Sequence, residues 1–141
     1  MKILIPVDGS PHALNAVRYA INLAAALSVP PQLILLNVQR SVANGNVKLF
    51  IDAGTIDDYE REQGMKALHA ARQALEAAGL PYRYHLSEGQ PAKAITLYAA
   101  EQGVAQIVIG AHGMGGLGSH LLGSVAAQVV ETSELPVTVV H

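Results

Sequence analysis

The sequence of 141 residues contains no cysteine, no tryptophan and a single phenylalanine. Without thiols it can form neither a disulfide framework nor a thiolate metal site. This favours a reducing compartment, and we predict a cytoplasmic protein. No apolar run approaches the roughly 20 residues that cross a bilayer. The apolar run at the N-terminus ends at Asp8, too early for a signal peptide, so we expect no membrane insertion.

Positive charge is also scarce. The chain has 9 Lys and Arg residues against 11 Asp and Glu residues, and neither Lys nor Arg occurs between Ala94 and His141. A nucleic-acid-binding surface needs a basic footprint, and a surface for single strands also needs aromatic platforms for the bases. We therefore expect no nucleic-acid partner.

Half of the residues are apolar, which suits one well-cored domain over residues 1–141. Short apolar runs alternate with longer segments of helical periodicity, and this alternation predicts a parallel α/β sheet. The predicted strands are KILIPV, QLILLNV, YRYHLS, AQIVIG and PVTVVH. YRYHLS alternates in polarity, which favours a half-exposed position at an edge. The predicted helices run from Pro11 to about Ser28, from near Thr55 to Gly79, from Pro91, and from Leu121 to about Thr132.

Two segments depart from this regular alternation. Pro6 lies inside the first predicted strand, where it is tolerated only if pairing ends nearby, because proline lacks the N–H of the ladder. Residues 39–54, QRSVANGNVKLFIDAG, show no sustained period and predict a long loop that is either functional or mobile.

Six glycines occupy the stretch GAHGMGGLGSHLLGS, residues 110–124, which follows the fourth predicted strand. A Walker A loop is excluded because no lysine follows Gly123. Gly113, Gly115 and Gly118 match G-x-G-x-x-G. A dinucleotide fold, however, carries that motif after its first strand and an acid about twenty residues later, and here the chain ends at VTVVH without such an acid.

A different spacing fits better. Gly110, two residues, Gly113, nine residues, then Gly123 and Ser124 give G-2x-G-9x-G-[ST], which resembles the nucleotide-binding signature of the universal stress protein family. ILIPVDGS, LILLNV and GSVAAQVVETSELPVTVV resemble its first strand and turn, its second strand, and its last helix and strand. The resemblance covers the whole chain and points to the ATP-binding subgroup. It implies a three-layer fold, with a five-stranded parallel sheet in the order 3-2-1-4-5 and helices on both faces.

The resemblance also implies a set of binding residues. Asp8 matches the acid beside the ribose, Pro6 and Val7 line the adenine, and Val38 matches the residue whose backbone recognises the adenine edge. The segment that wraps the ribose and phosphates matches Gly110, Ala111, His112, Gly113, Gly123, Ser124 and Val125.

General rules for parallel sheets indicate the same place. If the chain leaves the first strand to one side and returns to the fourth on the other, the ligand crevice lies between Asp8 and Gly110. Glycines there allow backbone N–H groups to approach a phosphate closely and allow positive φ. The N-terminus of the last helix attracts anions.

The implied ligand is ATP, with ADP or AMP as alternatives. Its phosphate charge is met by backbone N–H groups, by Mg²⁺, by protonated His112 or His120, or by Arg40 and Lys48 from the long loop. We favour backbone groups with Mg²⁺, because an unperturbed histidine is mostly neutral at pH 7.

Simpler roles stay open for several of these residues. The glycine-rich stretch can serve as a plain connection, Asp8 can cap the first helix, and Ser124 can hydrogen-bond within the first turn of the last helix. The other four histidines show no paired metal spacing and are expected at the surface or its boundary: His12, His69, His85 and His141.

Enzyme motifs are not evident. The sequence shows no Ser-His-Asp order, no nucleophile elbow and no obvious general base. A related class of ATP-cleaving ligases carries an S-G-G-x-D-S type loop after the first strand, where this chain has VDGSPHA. We therefore predict a regulatory ATP-binding module of the stress response. The alternatives are a slow ATPase or self-phosphorylating protein, and a nucleotide-free dimeric scaffold or chaperone-like protein with an unknown partner.

The last predicted strand, residues 136–140, carries no charge, and only Pro136 protects its start. A terminal strand leaves a row of backbone groups without partners, and two such edges can pair about a twofold axis. We predict a homodimer through this strand, which the family resemblance also implies. The alternative is a monomer whose edge is covered by a helix or by His141.

Overall fold

The computed structural model describes residues 1–40, 58–114 and 121–141. Within them, strands and helices alternate along the chain as β1 (Lys2–Pro6), α1 (Pro11–Ala26), β2 (Gln32–Gln39), α2 (Asp58–Ala77), β3 (Tyr82–Glu88), α3 (Pro91–Gln102), β4 (Gln106–Gly110), α4 (Ser124–Thr132) and β5 (Val137–Val140). The predicted alternation is confirmed. None of the helices in these ranges is long and apolar enough to cross a membrane.

The strands form one parallel sheet in the order β3-β2-β1-β4-β5. β1 is therefore the central strand, and Leu4 pairs with Ile34 of β2 on one side and with Ile107 of β4 on the other. The edge position predicted for β3 is confirmed, and β5 forms the opposite edge. The strand order reverses at β1, because the chain adds β2 and β3 to one side and then β4 and β5 to the other.

Helices cover both faces of the sheet because the central strands are apolar on both faces. Ile3 and Ile5 of β1 are fully buried in a cluster that includes residues of α1 and α2. Leu4 is fully buried in a second cluster, which includes residues of α3 and α4. The sheet thus lies between two helical layers, which confirms the predicted three-layer arrangement.

The junction of β1 and α1 follows the sequence closely. Pro6 is the last residue of β1, and the pairing of β1 with β4 extends only over Ile3 and Leu4, so Pro6 interrupts no bond on that side. Ser10 caps α1 by accepting a hydrogen bond from the Ala13 N–H at 3.2 Å, and Pro11 occupies the first helical position.

The start of α4 differs from the prediction. The helix begins at Ser124 rather than Leu121, because Gly123 is still extended, with ψ of 164°. The first helical bond runs from the Ala127 N–H to the Gly123 C=O at 2.9 Å. Leu121 and Leu122 are 76% and 37% exposed, so their apolar side chains do not mark a buried helix face. The predicted start of α2 at Thr55 and most of the predicted 39–54 loop lie outside the described residues.

Candidate functional site

A cleft of about 490 Å³ opens at the carboxyl ends of β1, β2 and β4. Ligands of open α/β folds bind at this edge of the sheet, where the strand order reverses. The volume lies in the range of about 300–1,000 Å³ that is usual for small-molecule sites. The β1–α1 turn forms the floor, and the walls come from the end of β2, the start of α3, the end of β4 and the start of α4.

The floor holds the exposed carboxylate of Asp8. Its Oδ1 accepts a hydrogen bond from the Ser10 N–H at 2.9 Å, and its Oδ2 accepts one from the Met114 N–H at 3.0 Å. Gly9 has φ of +87°, a conformation that favours glycine, and this permits the turn. Ser10, and not Asp8, is the residue that caps α1.

The β2 wall presents Leu36 and Val38 to the cleft. Asn37 lies between them on the opposite face of the strand and is 1% exposed. Its Nδ2 donates a hydrogen bond to the Val7 C=O at 2.9 Å, and its Oδ1 accepts one from Gln39 Nε2 at 2.8 Å. Asn37 thus ties the backbone of the floor to β2.

Two positions of the β4 wall require glycine because other parts of the chain lie too close for a side chain. A Cβ on Gly110 would lie 2.7 Å from the backbone carbon of His12, and a Cβ on Gly113 would lie 2.6 Å from Asp8 Oδ2. The positive φ expected of this stretch is wrong for Gly110, Gly113 and Gly123. The other glycines of the stretch lie outside the described residues: Gly115, Gly116 and Gly118.

The N-terminus of α4 opens into the same cleft. Gly123 is its N-cap and provides no side-chain hydrogen bond. The Gly123 N–H donates to the Ala111 C=O at 2.7 Å. By helix geometry, the N–H groups of the first turn, those of Ser124, Val125 and Ala126, have no acceptor within the helix. These three residues line the cleft, so the positive end of the helix dipole faces it.

Few charges surround the cleft. Among the described lining residues, Asp8 and Arg40 carry charged side chains. His112 also lines it and is 7% exposed, and its ring centroid lies 5.1 Å from that of His12. No sequence pattern indicates this histidine pair, because the two residues come from distant parts of the chain. Within the described ranges, no three His, Asp or Glu side chains are grouped as a metal site requires.

The structure brings the predicted residues together, with one exception. Ala111 is fully buried and does not line the cleft. Its N–H donates to the Val140 C=O of β5 and its C=O accepts from Gly123, each at 2.7 Å, so its contacts are structural. The rest line the cleft: Pro6, Val7, Asp8, Val38, Gly110, His112, Gly113, Gly123, Ser124 and Val125. Lys48 and His120, considered for the phosphates, lie outside the described residues.

Sequence reasoning missed the contribution of α3. Pro91 and Ile95 line the apolar part of the cleft, together with Ile109 of β4. The signal that points to them is topological: in a parallel sheet every helix starts at the edge where the preceding strand ends. The first turns of α3 therefore face the same crevice as the ends of β1 and β4.

A sequence model of the universal stress protein family matches residues 1–141. Universal stress protein MJ0531 of Methanocaldococcus jannaschii is 34% identical over 143 residues, which cover 99% of this chain and 81% of that protein. Universal stress protein YxiE of Bacillus subtilis is 31% identical over 147 residues, which cover 99% of this chain and 98% of that protein.

Comparison with solved structures also finds universal stress proteins. Protein MJ0577 of Methanocaldococcus jannaschii, whose biochemical function was assigned from its structure, superposes with a TM-score of 0.82 at 29% identity, over 99% of this chain and 94% of that one. A universal stress protein in complex with cAMP superposes with a TM-score of 0.72 at 25% identity, over 100% of this chain and 97% of that one. With a family match over residues 1–141 and relatives covered almost end to end, this chain belongs to the universal stress protein family.

Proposed function

We propose that the cleft binds an adenine nucleotide and that the chain, as one unit over residues 1–141, is a regulatory nucleotide-binding module. The observation that carries the proposal is the convergence on one cleft of an apolar wall, an exposed carboxylate and a helix N-terminus without a side-chain cap. Membership of the universal stress protein family supports it, as does the cAMP complex of a structurally similar member.

Each part of an adenine nucleotide has a counterpart in the cleft. We assign the base to the apolar end, where Pro6 and Val7 of the floor meet Val38 of the β2 wall. We assign the ribose to Asp8, because each of its carboxylate oxygens keeps acceptor capacity beyond the bond it already receives. We assign the phosphates to the other end of the cleft, which is lined by Gly110, His112, Gly113, Gly123, Ser124 and Val125.

A bound triphosphate needs more positive charge than this end of the cleft supplies. Arg40 comes from the β2 wall, where the base is assigned, and no Lys or Arg follows Lys93 in the sequence. Mg²⁺ suits this end of the cleft, because it keeps several of its waters and binds largely through substrate phosphates rather than in a cage of protein ligands. When bound, the ion would neutralise phosphate charge. We propose ATP with Mg²⁺ as the ligand, with ADP and AMP as smaller occupants of the same cleft.

The module is proposed to act by binding rather than by turnover. Phosphate release from ATP is therefore expected to be much slower than the rate of about 1 s⁻¹ at the lower end of the range typical of enzymes. A continuous phosphate assay with saturating ATP and Mg²⁺ measures it. Release at about 1 s⁻¹ or faster would show an ATPase in place of the regulatory module.

The direct test is to identify what the protein holds. Freshly purified protein is denatured and the released small molecules are identified by mass spectrometry. Protein freed of nucleotide is then titrated with AMP, ADP and ATP in a calorimeter, with GTP as the control for base selection. We expect adenine nucleotides to bind and GTP to bind more weakly. Binding of no adenine nucleotide at millimolar concentration overturns the proposal and leaves the nucleotide-free scaffold.

We also propose a homodimer formed through β5. The side chains of Val137 and Val139 pack on the cluster beneath α3 and α4, and that of Val140 packs on the opposite cluster. The strand therefore turns its backbone, and no charged side chain, toward a partner at the outer edge of the sheet. Because Val139 contributes to the core, replacing it would disturb the fold as well as the edge. Sedimentation of the wild-type protein over a concentration series is the cleaner test, and a single monomeric species at micromolar concentration overturns the dimer.

A further inference from the structure

The Asp8 carboxylate joins two segments that form different sides of the cleft. One oxygen accepts the Ser10 N–H of the floor, and the other accepts the Met114 N–H beyond β4, across 106 positions of sequence. We propose that Asp8 is a positioning residue that sets the Gly113–Met114 segment against the floor before any ligand binds. For its effect on affinity the inference rests on the proposed function. Its structural part is independent of it.

The geometry requires a carboxylate at this position. The two backbone donors approach different oxygens, at 2.9 Å and 3.0 Å, and both bring an N–H. A carboxylate offers an acceptor to each of them. Asparagine has one acceptor oxygen and an NH₂ group that can only donate, so one backbone N–H would face another donor. Bonds from N–H groups to an ionised acceptor are also about twice as strong as those between neutral groups.

Gly113 lies directly against the Asp8 carboxylate in this arrangement. A Cβ at that position would lie 2.6 Å from Asp8 Oδ2, the same oxygen that accepts the Met114 N–H. A side chain at position 113 would therefore displace the carboxylate or the segment. The requirement for glycine here comes from Asp8, so the two positions are expected to be energetically coupled.

The arrangement gives one residue two effects on nucleotide binding. Asp8 is exposed at the floor of the cleft, and its oxygens retain acceptor capacity for ribose hydroxyls. Gly113 and Met114 line the same cleft. Loss of the carboxylate is thus expected to remove a sugar contact and to release a wall segment at the same time.

The structural part is tested by amide hydrogen exchange in nucleotide-free protein, followed by NMR. In Asp8→Ala, which removes both acceptor oxygens, we expect the Met114 amide to exchange at least about tenfold faster, the effect of losing one charge-assisted bond, while amides of the central strands keep their rates. Asp58→Ala, which removes an exposed carboxylate in the first turn of α2, is the matched control and is expected to leave Met114 unchanged. An unchanged Met114 rate in folded Asp8→Ala overturns the inference.

The coupling is tested by a double-mutant cycle on stability. Gly113→Ala is expected to lower the midpoint of urea unfolding in the wild-type background, because its Cβ meets the carboxylate. In the Asp8→Ala background that conflict is gone, and the same substitution is expected to cause a clearly smaller shift. Equal shifts in the two backgrounds contradict a pairing of Gly113 with Asp8.

The effect on binding separates positioning from sugar contact. Met114→Pro removes the N–H donor and leaves Asp8 in place, so we expect it to weaken AMP and 2′-deoxy-AMP by the same factor. Asp8→Ala is expected to weaken AMP about ten- to a hundredfold, for loss of a bond to a charged group, and 2′-deoxy-AMP by less. Unchanged AMP affinity in Met114→Pro overturns the positioning role in binding. If wild-type protein binds neither nucleotide, the proposed function fails, while the exchange result still decides the structural part.

Discussion

α1 and α4 both begin at the cleft, but their first turns are built differently. The Ser10 side chain caps α1, and Pro11 at its first position has no N–H that needs an acceptor. Gly123 precedes α4 and offers no side-chain hydrogen bond, while Ser124 and Val125 line the cleft. The chain thus caps the N-terminus of α1 with its own side chain and leaves the N-terminus of α4, where we propose that the phosphates bind, without a side-chain cap. Four changes test how far this contrast holds.

The largest effect is expected from Gly123→Val, which fills the open terminus. A Cβ there would lie 3.3 Å from the Ala111 oxygen and from His112 Cα, so a branched side chain must extend toward the phosphate end of the cleft. We expect nucleotide affinity to fall by at least about 100-fold, or about 2.7 kcal/mol. Calorimetry measures the affinity, and urea unfolding shows whether the variant is folded. Wild-type affinity in folded Gly123→Val would show that the phosphates lie elsewhere.

Removal of Mg²⁺ is expected to have the next largest effect. Backbone N–H groups at the α4 terminus supply partial charge only, so a triphosphate should depend on the ion more than a monophosphate does. With a chelator present we expect ATP to bind at least about tenfold more weakly, or about 1.4 kcal/mol, while AMP changes little. Titrations of both nucleotides, with and without chelator, measure the difference. Equal ATP affinity in the two conditions would instead indicate Arg40 or a basic residue outside the described ranges.

Ser10→Ala tests the closed terminus. The substitution removes the hydroxyl that accepts a buried hydrogen bond of 3.2 Å from the Ala13 N–H. Because this bond caps α1, we expect the unfolding free energy to fall by about 1 kcal/mol. Nucleotide affinity should fall less than in Gly123→Val, because the link from Ser10 to the proposed phosphate end is a single hydrogen bond of 3.4 Å that its hydroxyl donates to the His112 C=O. Urea unfolding and calorimetry on the same preparation provide both values. A loss of affinity as large as that of Gly123→Val would mean that the two termini share one role.

Gly123→Ser is the smallest change and the most informative one. Serine at this position can accept a bond from the first turn of α4, which offsets the cost of the 3.3 Å contacts that its Cβ makes with the Ala111 oxygen and His112 Cα, so the unfolding free energy should change by only a few tenths of a kcal/mol. The same bond takes an N–H from the proposed phosphate site, so affinity should fall severalfold while stability changes little. A folded variant with unchanged or higher affinity would show that the open terminus is not used for the ligand.

The alternation of strands and helices follows from the periodicity of the sequence, whereas the strand order was predicted only from the resemblance to the universal stress protein family. The location of the cleft follows from the position of the glycine signature and from the switch-point rule for parallel sheets. The alternation of Ile3, Leu4 and Ile5 between two buried clusters needs only a strand that is apolar on both faces. The start of α4 was misplaced by three residues, from Leu121 to Ser124, because apolar residues before a helix look like its buried face. Only the extended backbone of Gly123 reveals the true start.

The reasons for individual glycines could not be predicted from the sequence. The signature suggested that they admit a ligand and adopt positive φ, whereas Gly110 faces the α1 backbone and Gly113 faces Asp8. Ala111, predicted with the ligand-binding residues from its position in the signature, is buried outside the cleft lining and bonds to Val140 of β5 and to Gly123. Such contacts join residues far apart in sequence, and local pattern carries no information about them.

The separation of Asp8 and Met114 has a consequence for how the protein folds. The two residues are 106 positions apart, and the cleft takes shape only when β1 pairs with β4, as Ile3 does with Gln106. Contacts of such long range are expected to slow folding, because the chain entropy of a long loop must be overcome before they form. A nucleotide that binds only the completed cleft therefore acts on the folding equilibrium itself, adding about 2.7 kcal/mol at a concentration 100 times Kd. At that concentration the proposed nucleotide would lower the unfolded fraction of the chain about 100-fold.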